Sequence, residues 1–456
     1  MATEPASSSG RGDRQRIADA GMNVRQMRKH CVAVPPGILE LLRSPIESYG
    51  FPVCVDFWGA GIIGQPYLPD EGLTIFVRHP GLLRKLILSH DRMFLIQAWL
   101  VGLLDFSGEL ERAIDFMEYL FNYPLSPLLA AKACLAALHL PAIDRSVMPS
   151  SKALAFEEPT GKLPELRRKV MNIRHHYDNG QAFYKLFLDP LLVYSCAHFE
   201  SPAMDLCEAQ MAKLDLICRK LLLKSGERLL DVGCGWGALL FYAAERYGVT
   251  ADGITLSPDQ YEYCKRQINE RGLSGRVTVH LLDYKEITNL PNYDKMVSVG
   301  MLEHVGLKNY AEYFSILLKA LSPGGLFLCH AIMTQDESDS HNFSSQFIQR
   351  YVFPGACIAN LPDTLAAAQR NGWEIVDVDA WRPHYAKTLR CWVENLLANQ
   401  MHARELIGDA KVRLWLLFML CSARGFENNY LGINQILLRR RDDTPWDLPI
   451  QRAWLI

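Results

Sequence analysis

From about residue 226 the chain alternates between short apolar runs and amphipathic stretches, and this alternation constrains the fold more than any other feature. GERLLDVG (226–233) is typical of a buried strand, and GALLFYAAERYG (237–248) has helical spacing. VTADGITL and SPDQYEYCKRQINERG repeat the pair, with Ser257 as the expected N-cap of the second helix. Such alternation predicts an open α/β sheet with helices on both faces.

Five further apolar runs extend this pattern to seven strands. They are VTVHLLD (277–283), KMVSVGM (295–301), GGLFLCHAIM (324–333), WEIVDVDAW (373–381) and NQILLRRR (434–441). The sequence therefore predicts an α/β fold of the Rossmann-like kind, with a seven-stranded, mostly parallel sheet. Ligands of such sheets bind at the carboxyl ends of the strands.

The chain is too long for one ordinary domain, and its first 150 residues differ in character from the rest. PVCVDFWG (52–59) and LTIFVRH (73–79) resemble short strands among helical runs, and Ser107 is a candidate N-cap for the helix that follows it. We expect a disordered leader (1–20), a small N-terminal α+β domain (21–149) for lipid binding or dimerisation, a linker (150–169) and a large domain (170–456).

Charge and composition exclude several classes of function. A net charge of −2 gives no reason to expect a nucleic-acid partner. The longest apolar runs, such as LIQAWLVGLL (95–104), fall short of the roughly 20 residues of a membrane span. The N-terminus has no apolar signal core, so a cytoplasmic protein is expected. The twelve cysteines include no C-x-x-C pair, which argues against a metal site or a disulfide framework.

The sharpest local motif is LLDVGCGWG (229–237), at the turn from the first strand to the first helix. Its glycines, at 233, 235 and 237, permit positive φ and close backbone approach to a ligand. A G-x-G-x-G turn alone also suits other nucleotide ligands. With Asp231 two residues before the first glycine, however, the motif resembles motif I of class I S-adenosylmethionine-dependent methyltransferases.

This resemblance implies S-adenosylmethionine as the cofactor and a set of residues that hold it. Asp231 is expected to support the glycine turn rather than to touch the ligand, and the second strand end lacks the family's usual acidic residue. The implied cofactor-binding residues are Tyr194, Ser195, Gly233, Gly235, Thr255, Leu256, Gln260, Asp283 and Tyr284.

Five spaced blocks narrow the resemblance. They are HHYDNGQAFYKLFLDPLLVYSCAHFES, GMLEHVGLKNY, LFLCHAIMT, FIQRYVFPGACIANLPD and PHYAKTLRCWVENL. Together they resemble the cyclopropane-fatty-acyl-phospholipid synthases and the mycolic acid cyclopropane synthases, from about residue 170 to 440. The N-terminal region loosely resembles the smaller domain of the phospholipid-type enzymes, which favours phospholipid substrates.

An alkene is a weak nucleophile, so its methylation needs a reactive methyl donor, a closed apolar cavity and a base beside the resulting carbocation. The family resemblance implies bound bicarbonate as that base, in a site that we call the anion pocket. Glu303 is expected to orient the anion rather than act as the base, and Phe199, Tyr351 and Phe353 are candidate cavity aromatics. The anion pocket comprises Cys196, Glu303, His330, the backbone of Ile332, and Tyr385.

The expected substrate, an unsaturated phospholipid, lies in a membrane surface, so peripheral membrane association is expected. The basic stretch PELRRKVMNIRHHY (164–177) could face anionic headgroups, although a solvated basic face explains it equally well. A homodimer would suit a two-domain enzyme with a large flat substrate, and no residue pattern decides it. The alternatives are a methyl-branched or hydroxylated acyl product, an amine N-methyltransferase, and a catalytically silent lipid-binding module.

Overall fold

The computed structural model describes residues 32–143, 155, 171–172, 176, 179–335 and 343–455, with only the backbone of 343 and 344. The predicted leader, nearly all of the predicted linker and most of the basic stretch 164–177 lie outside these residues. The chain divides into two compact units. The N-terminal unit comprises residues 1–154 with 409–413, and the large unit comprises residues 155–408 with 414–456.

The N-terminal unit contains a four-stranded sheet of order β2-β1-β3-β4, in which only β1 and β3 pair in parallel. The strands are β1 (Val53–Phe57), β2 (Gly61–Ile63), β3 (Leu73–Val77) and β4 (Leu104–Ser107). The helices are α1 (Pro36–Ser48), α2 (Pro80–Ser89), α3 (Arg92–Leu100), α4 (Leu110–Asn122) and α5 (Pro127–Leu138).

One predicted helix start in this unit is wrong. Ser107 does not cap α4, because its backbone pairs with Thr74 as the last residue of β4. Gly108 then turns the chain with a φ of +126°, and Glu109 occupies the N-cap position without a side-chain cap. Ser107 is thus part of the sheet, although its local capping preference would place it at the start of the helix.

The large unit confirms the seven-stranded, mostly parallel sheet. The strand order is β10-β11-β9-β8-β5-β6-β7, and only the two pairings of β11 are antiparallel. The order reverses at β5, so the glycine-rich turn lies at the switch point. The strands are β5 (Arg228–Val232), β6 (Thr250–Thr255), β7 (Val277–Leu281), β8 (Tyr293–Val299), β9 (Leu321–Thr334), β10 (Trp373–Ala380) and β11 (Leu431–Arg440).

Helices cover both faces of this sheet, and a buried apolar cluster lies on each face. The helices described in the large unit are α6 (Gln181–Tyr184), α7 (Leu206–Lys220), α8 (Ala238–Tyr247), α9 (Pro258–Glu270), α10 (Tyr310–Ala320), α11 (Phe343–Tyr351), α12 (Leu361–Arg370), α13 (Arg382–Ala398), α14 (Gln400–Ile407) and α15 (Asp409–Glu427), of which residues 409–413 belong to the N-terminal unit. Short 3₁₀ turns span Tyr284–Asn289, Leu302–His304, Leu307–Asn309 and Arg452–Leu455. Within the described ranges, no helix has the length and apolarity needed to cross a bilayer.

Candidate active site

The glycine-rich turn is held by backbone hydrogen bonds to the neighbouring strand. The N–H groups of Gly233 and Cys234 both donate to Ile254 O, at 3.1 and 2.9 Å, which ties the turn to β6. All three glycines of the motif have positive φ: +91° at Gly233, +54° at Gly235 and +83° at Gly237. These conformations are the reason that the turn requires glycine.

The other predicted cofactor residues lie at the ends of the next two strands. Thr255 Oγ1 donates to Gln260 Oε1 at 2.8 Å, which joins the end of β6 to the first turn of α9. Beyond β7, Asp283 accepts from Lys285 N at 2.9 Å and caps a 3₁₀ turn. The half-buried Leu256 follows Thr255. The ring of Tyr284 packs edge-on against Tyr313, with their centroids 5.3 Å apart.

Ser195 is positioned by a buried cation that the sequence analysis missed. Lys213 Nζ donates to Ser195 Oγ at 2.9 Å, and Gln210 Nε2 donates to Ser195 O at 2.8 Å. Burial lowers the pKa of Lys213 to about 8 and raises the pKa of Asp231 to about 7, although Lys213 itself opposes the rise at Asp231. Asp231 Oδ1 is buried without a hydrogen-bond partner among the described residues.

The sequence of helix α7 contains a pattern from which its buried polar residues could have been predicted. Its buried face repeats at helical spacing through Leu206, Ala209, Leu214 and Ile217. Gln210, Lys213 and Lys220 fall on that same apolar face and are also buried. Polar side chains on a buried stripe need partners inside the protein, so they were candidates for the site.

Glu303 lies in the 3₁₀ turn directly after β8, where its carboxylate faces the end of β9. Its Oε1 accepts from Ile332 N at 2.6 Å, whereas Oε2 is buried without a partner in the described part of the chain. Burial raises the pKa of Glu303 to about 7, and the hydrogen bond from Ile332 opposes that rise. Near neutral pH this carboxyl group can therefore either donate or accept a hydrogen bond at Oε2.

His330 lies on β9, two residues before Ile332, and is 1% exposed. Its Nδ1 is 3.2 Å from Gln435 Nε2, and its Nε2 is buried with no partner among the residues described. Burial, and then the nearby charges of Lys213 and Lys220, hold the pKa of His330 well below its usual value. The imidazole is therefore neutral.

Cys196 and Tyr385 lie on segments that a single threonine connects. Cys196 is fully buried, and burial raises the pKa of its thiol, which stays protonated and donates to Ala197 O at 3.3 Å. Ala197 N donates to Thr388 Oγ1 at 3.0 Å. Tyr385 lies one turn before Thr388 on α13, and its ring contacts Phe426 at a centroid distance of 4.8 Å. The hydrogen bond between Ala197 and Thr388 thus holds the segment that carries Cys196 against the helix that carries Tyr385.

Aromatic rings surround Tyr194, another of the predicted cofactor residues. His176 Nε2 lies 3.1 Å from Tyr194 Oη, and the His176 ring is 3.8 Å from that of Phe353. Of the other candidate cavity aromatics, Tyr351 packs against Phe347, and Phe199 lies beneath Lys387. Further rings near Tyr194 are those of Tyr184, Phe187, Trp392 and Trp415.

The residues present fit both groups that the resemblance implies. An added Cβ at Gly235 would meet nothing within 4 Å, so the turn leaves open space beside its backbone. Glu303 Oε2 and His330 Nε2 are buried polar atoms without partners in the described structure, and such atoms are costly unless a ligand pairs with them. Each of these two atoms could pair with a small anion that both donates and accepts hydrogen bonds.

Comparisons with known proteins show the family of the chain. A family model described as mycolic acid cyclopropane synthetase matches residues 164–436. A probable fatty acid methyltransferase from Pseudomonas putida is 34% identical over 422 residues, which cover 90% of this chain and 98% of that protein. Cyclopropane mycolic acid synthase 1 from Mycobacterium tuberculosis is 34% identical over 287 residues, which cover 60% of this chain and 99% of that protein.

Solved structures show the same fold in the large unit. The cyclopropane synthase MmaA2 from Mycobacterium tuberculosis aligns with a TM-score of 0.57 and 31% identity, over 60% of this chain and 98% of that one. The mycolic acid cyclopropane synthase CmaA1 complexed with SAH and CTAB aligns with a TM-score of 0.56 and 33% identity, over 61% of this chain and 99% of that one.

Proposed function

Because this chain belongs to the mycolic acid cyclopropane synthetase family and is an S-adenosylmethionine-dependent methyltransferase, we propose that it adds a methylene group to the cis double bond of unsaturated phospholipid acyl chains. The product is a cyclopropane ring, and bicarbonate is the general base. One observation carries the proposal: Glu303 Oε2 and His330 Nε2 are both buried without partners in the described structure, at the carboxyl edge of the sheet.

When bound, S-adenosylmethionine supplies the electrophilic methyl group, and bicarbonate accepts the proton that ring closure releases. Glu303 is fixed through Oε1 by Ile332 N, so its Oε2 can hydrogen-bond the anion in either protonation state. His330 is neutral and adds a hydrogen bond without a charge. Glu303 therefore holds and orients the base, and no step requires it to take the proton itself.

The remaining residues bind, donate and exclude water. The phenol of Tyr385 is a donor suited to an anion, and the protonated thiol of Cys196 becomes one when it turns away from Ala197 O. The rings around Tyr194 present π-faces that stabilise positive charge, and they keep out water that would otherwise quench a carbocation. Lys213 fixes the hydroxyl of Ser195, the neighbour of Cys196, and we assign Ser195 to cofactor binding.

The span of the comparisons supports an ordinary fatty acyl chain rather than a mycolic acid as the substrate. The mycolic acid synthase aligns over nearly its whole length but over only 60% of this chain. The Pseudomonas relative, named for fatty acids, aligns over 90% of it. The additional region includes the N-terminal unit, which we assign to contact with the lipid surface.

A methyl-branched acyl chain is the second candidate product. The Pseudomonas relative is named a probable fatty acid methyltransferase, and this name favours such a product as the alternative. In that reaction a hydride donor reduces the carbocation, so the alkene gains CH₄ overall rather than CH₂. Capture of the carbocation by water would add CH₄O instead. An amine N-methyltransferase would have no use for the anion pocket, and a catalytically silent lipid-binding module would transfer no methyl group.

Labelled S-adenosylmethionine and vesicles of unsaturated phospholipid test the proposal directly. After incubation with the protein, mass spectrometry of the acyl chains should show a gain of CH₂, and the product should resist ozonolysis, which cleaves alkenes and spares the ring. Turnover in buffer depleted of carbon dioxide should be restored by added bicarbonate. Absence of label from the lipid would refute the proposal, and a gain of CH₄ or CH₄O would replace its product.

A further inference from the structure

A row of buried side chains connected by hydrogen bonds ends at His330. Lys220, the last residue of α7, donates from Nζ to Asp379 Oδ2 at 2.6 Å and to Gln435 Oε1 at 2.9 Å. At the other end of the Gln435 amide, Nε2 lies 3.2 Å from His330 Nδ1. Lys220, Gln435 and His330 are each 1% exposed, so water does not compete for these contacts.

The chemistry of the row permits only one direction of donation. An ammonium group has donors and no acceptor, so the atom of Gln435 that faces Lys220 must be the oxygen. The amide nitrogen must then face His330, and an NH₂ group only donates. Nδ1 of His330 is therefore an acceptor that carries no proton. Because the imidazole is neutral, its single proton is on Nε2.

We propose that Lys220 and Gln435 are positioning residues that fix the tautomer of His330, so that its Nε2 always presents an N–H donor to the anion pocket. The purpose of this arrangement rests on the proposed function, whereas the tautomer follows from the contacts alone. A donor without positive charge holds an anion without forming an imidazolium–bicarbonate pair, which would lower the basicity of the bicarbonate.

The surroundings of the row hold the ring as well as its proton. Trp381 Nε1 donates to the same oxygen of Asp379, at 2.7 Å, that accepts from Lys220. The Trp381 ring lies edge-on to that of His330, with centroids 5.1 Å apart and an angle of 80° between the planes. One carboxylate therefore anchors both the ammonium that orients the amide and the indole that fixes the plane of the imidazole.

A purely structural role explains this arrangement less well. The side chain of Asp379 is 37% exposed, so a lysine could pair with it in contact with solvent. The ammonium of Lys220 is instead buried, at a cost in desolvation, and it makes a second hydrogen bond to Gln435. Through Gln435, that second bond leads to His330, the residue whose opposite nitrogen has no partner among the described residues.

Nitrogen NMR of the full chain labelled with ¹⁵N-histidine tests the tautomer without any ligand. The His330 signals are identified by their loss in His330→Gln. In the wild type, Nδ1 should be unprotonated and Nε2 protonated across the neutral pH range. In Gln435→Glu, the new carboxylate accepts from both neighbours, so Nδ1 should become protonated. A wild-type His330 with its proton on Nδ1 would overturn the inference whatever the activity.

Kinetics then separate positioning from folding. In Gln435→Glu and Lys220→Met, the bicarbonate concentration for half-maximal turnover should rise at least about tenfold, while the Kd for S-adenosylmethionine should change less than about twofold. Lys295→Met is the matched control, because Lys295 is also a buried lysine but lies at the amino end of β8. It should leave the His330 signals and the bicarbonate requirement unchanged.

The two proposals fail in different ways. If the tautomer is as expected but turnover does not depend on bicarbonate, the tautomer inference stands and the assigned base is wrong. If folded Gln435→Glu and Lys220→Met keep both the wild-type tautomer and the wild-type bicarbonate requirement, Lys220 and Gln435 do not position His330, and the inference falls.

Discussion

Burial makes the ionisation of Glu303 costly, and this gives a prediction at the scale of one residue. Its pKa is raised from 4.5 to about 7, so the folded protein holds this proton more tightly than the unfolded chain does. The contribution of Glu303 to wild-type stability should therefore fall as the pH rises from 4.5 to about 7, and it should be constant above that range. Glu303→Gln removes the effect while keeping the acceptor for Ile332 N.

We expect Glu303→Gln to lose at least about a hundredfold in turnover, because the NH₂ group that replaces Oε2 cannot accept a hydrogen bond from the anion and so orients it wrongly. We also expect the variant to gain stability relative to the wild type. The gain should be larger near pH 8 than near pH 4.5 by an amount on the order of 3 kcal/mol. Urea unfolding at both pH values measures it, and Asp231, which titrates in both proteins, cancels in the difference. Parallel pH profiles for the two proteins would show that burial does not raise this pKa.

Lys213 gives a second prediction at this scale. Lys213→Met removes the donor that fixes Ser195 Oγ and the cation that restrains the pKa of Asp231. We expect the affinity for S-adenosylmethionine to fall about tenfold, which is the usual size of one hydrogen bond to a charged group. Calorimetric titration measures it, with Lys295→Met as a buried-lysine control. Equal affinities of the wild type and Lys213→Met for S-adenosylmethionine would show that Lys213 does not contribute to cofactor binding.

At the scale of elements, two glycines of one turn should behave differently when replaced by alanine. Gly237 has a φ of +83°, and a Cβ there would lie 2.7 Å from Phe241 Cζ and 3.0 Å from Cys264 Sγ. Gly235 has a φ of +54°, and a Cβ there would enter open space. The first substitution combines strain with overpacking, whereas the second adds strain alone.

Gly237→Ala should therefore lose about 3 kcal/mol of unfolding free energy, and Gly235→Ala about 1 kcal/mol. Cofactor affinity should separate them further. The methyl group in Gly235→Ala occupies the space that we assign to S-adenosylmethionine, so this variant should fold and bind weakly. Urea unfolding and calorimetry on both variants test this. Normal binding by a folded Gly235→Ala would place the cofactor elsewhere.

The same scale shows what the sequence could predict. All seven strands of the large sheet follow from their apolar runs, and Ser257 caps α9 as its position indicates. Ser107 was wrongly predicted to be a cap because its pairing with Thr74 is a contact between residues distant in sequence, and local capping preferences cannot predict such contacts. Lys213 and Lys220 escaped notice because a lysine in a helix is usually exposed. Their partners Ser195 and Gln435 are distant in sequence, so only the fold brings them together.

At the scale of the whole molecule, the proposed substrate requires the protein to reach a lipid surface. Helix α5 of the N-terminal unit is unusual because it buries alanines and exposes leucines. Ala133 and Ala137 are at most 1% exposed, whereas Leu128 and Leu135 are 69% and 64% exposed. A helix face of this kind suits insertion among lipid headgroups, where exposed leucines gain an apolar environment.

We therefore expect the protein to sediment with vesicles of unsaturated anionic phospholipid, and Leu128→Gln with Leu135→Gln to weaken that binding about tenfold or more. The basic stretch 164–177 should make part of the binding sensitive to salt, whereas the leucine contribution should persist at high salt.

Leu68→Gln is the matched control, since Leu68 is 61% exposed outside any helix or strand. Cofactor affinity without lipid should be unchanged in all of these variants. If the double variant binds vesicles like the wild type but elutes at a smaller size in gel filtration, α5 serves dimerisation and the lipid-contacting surface lies elsewhere.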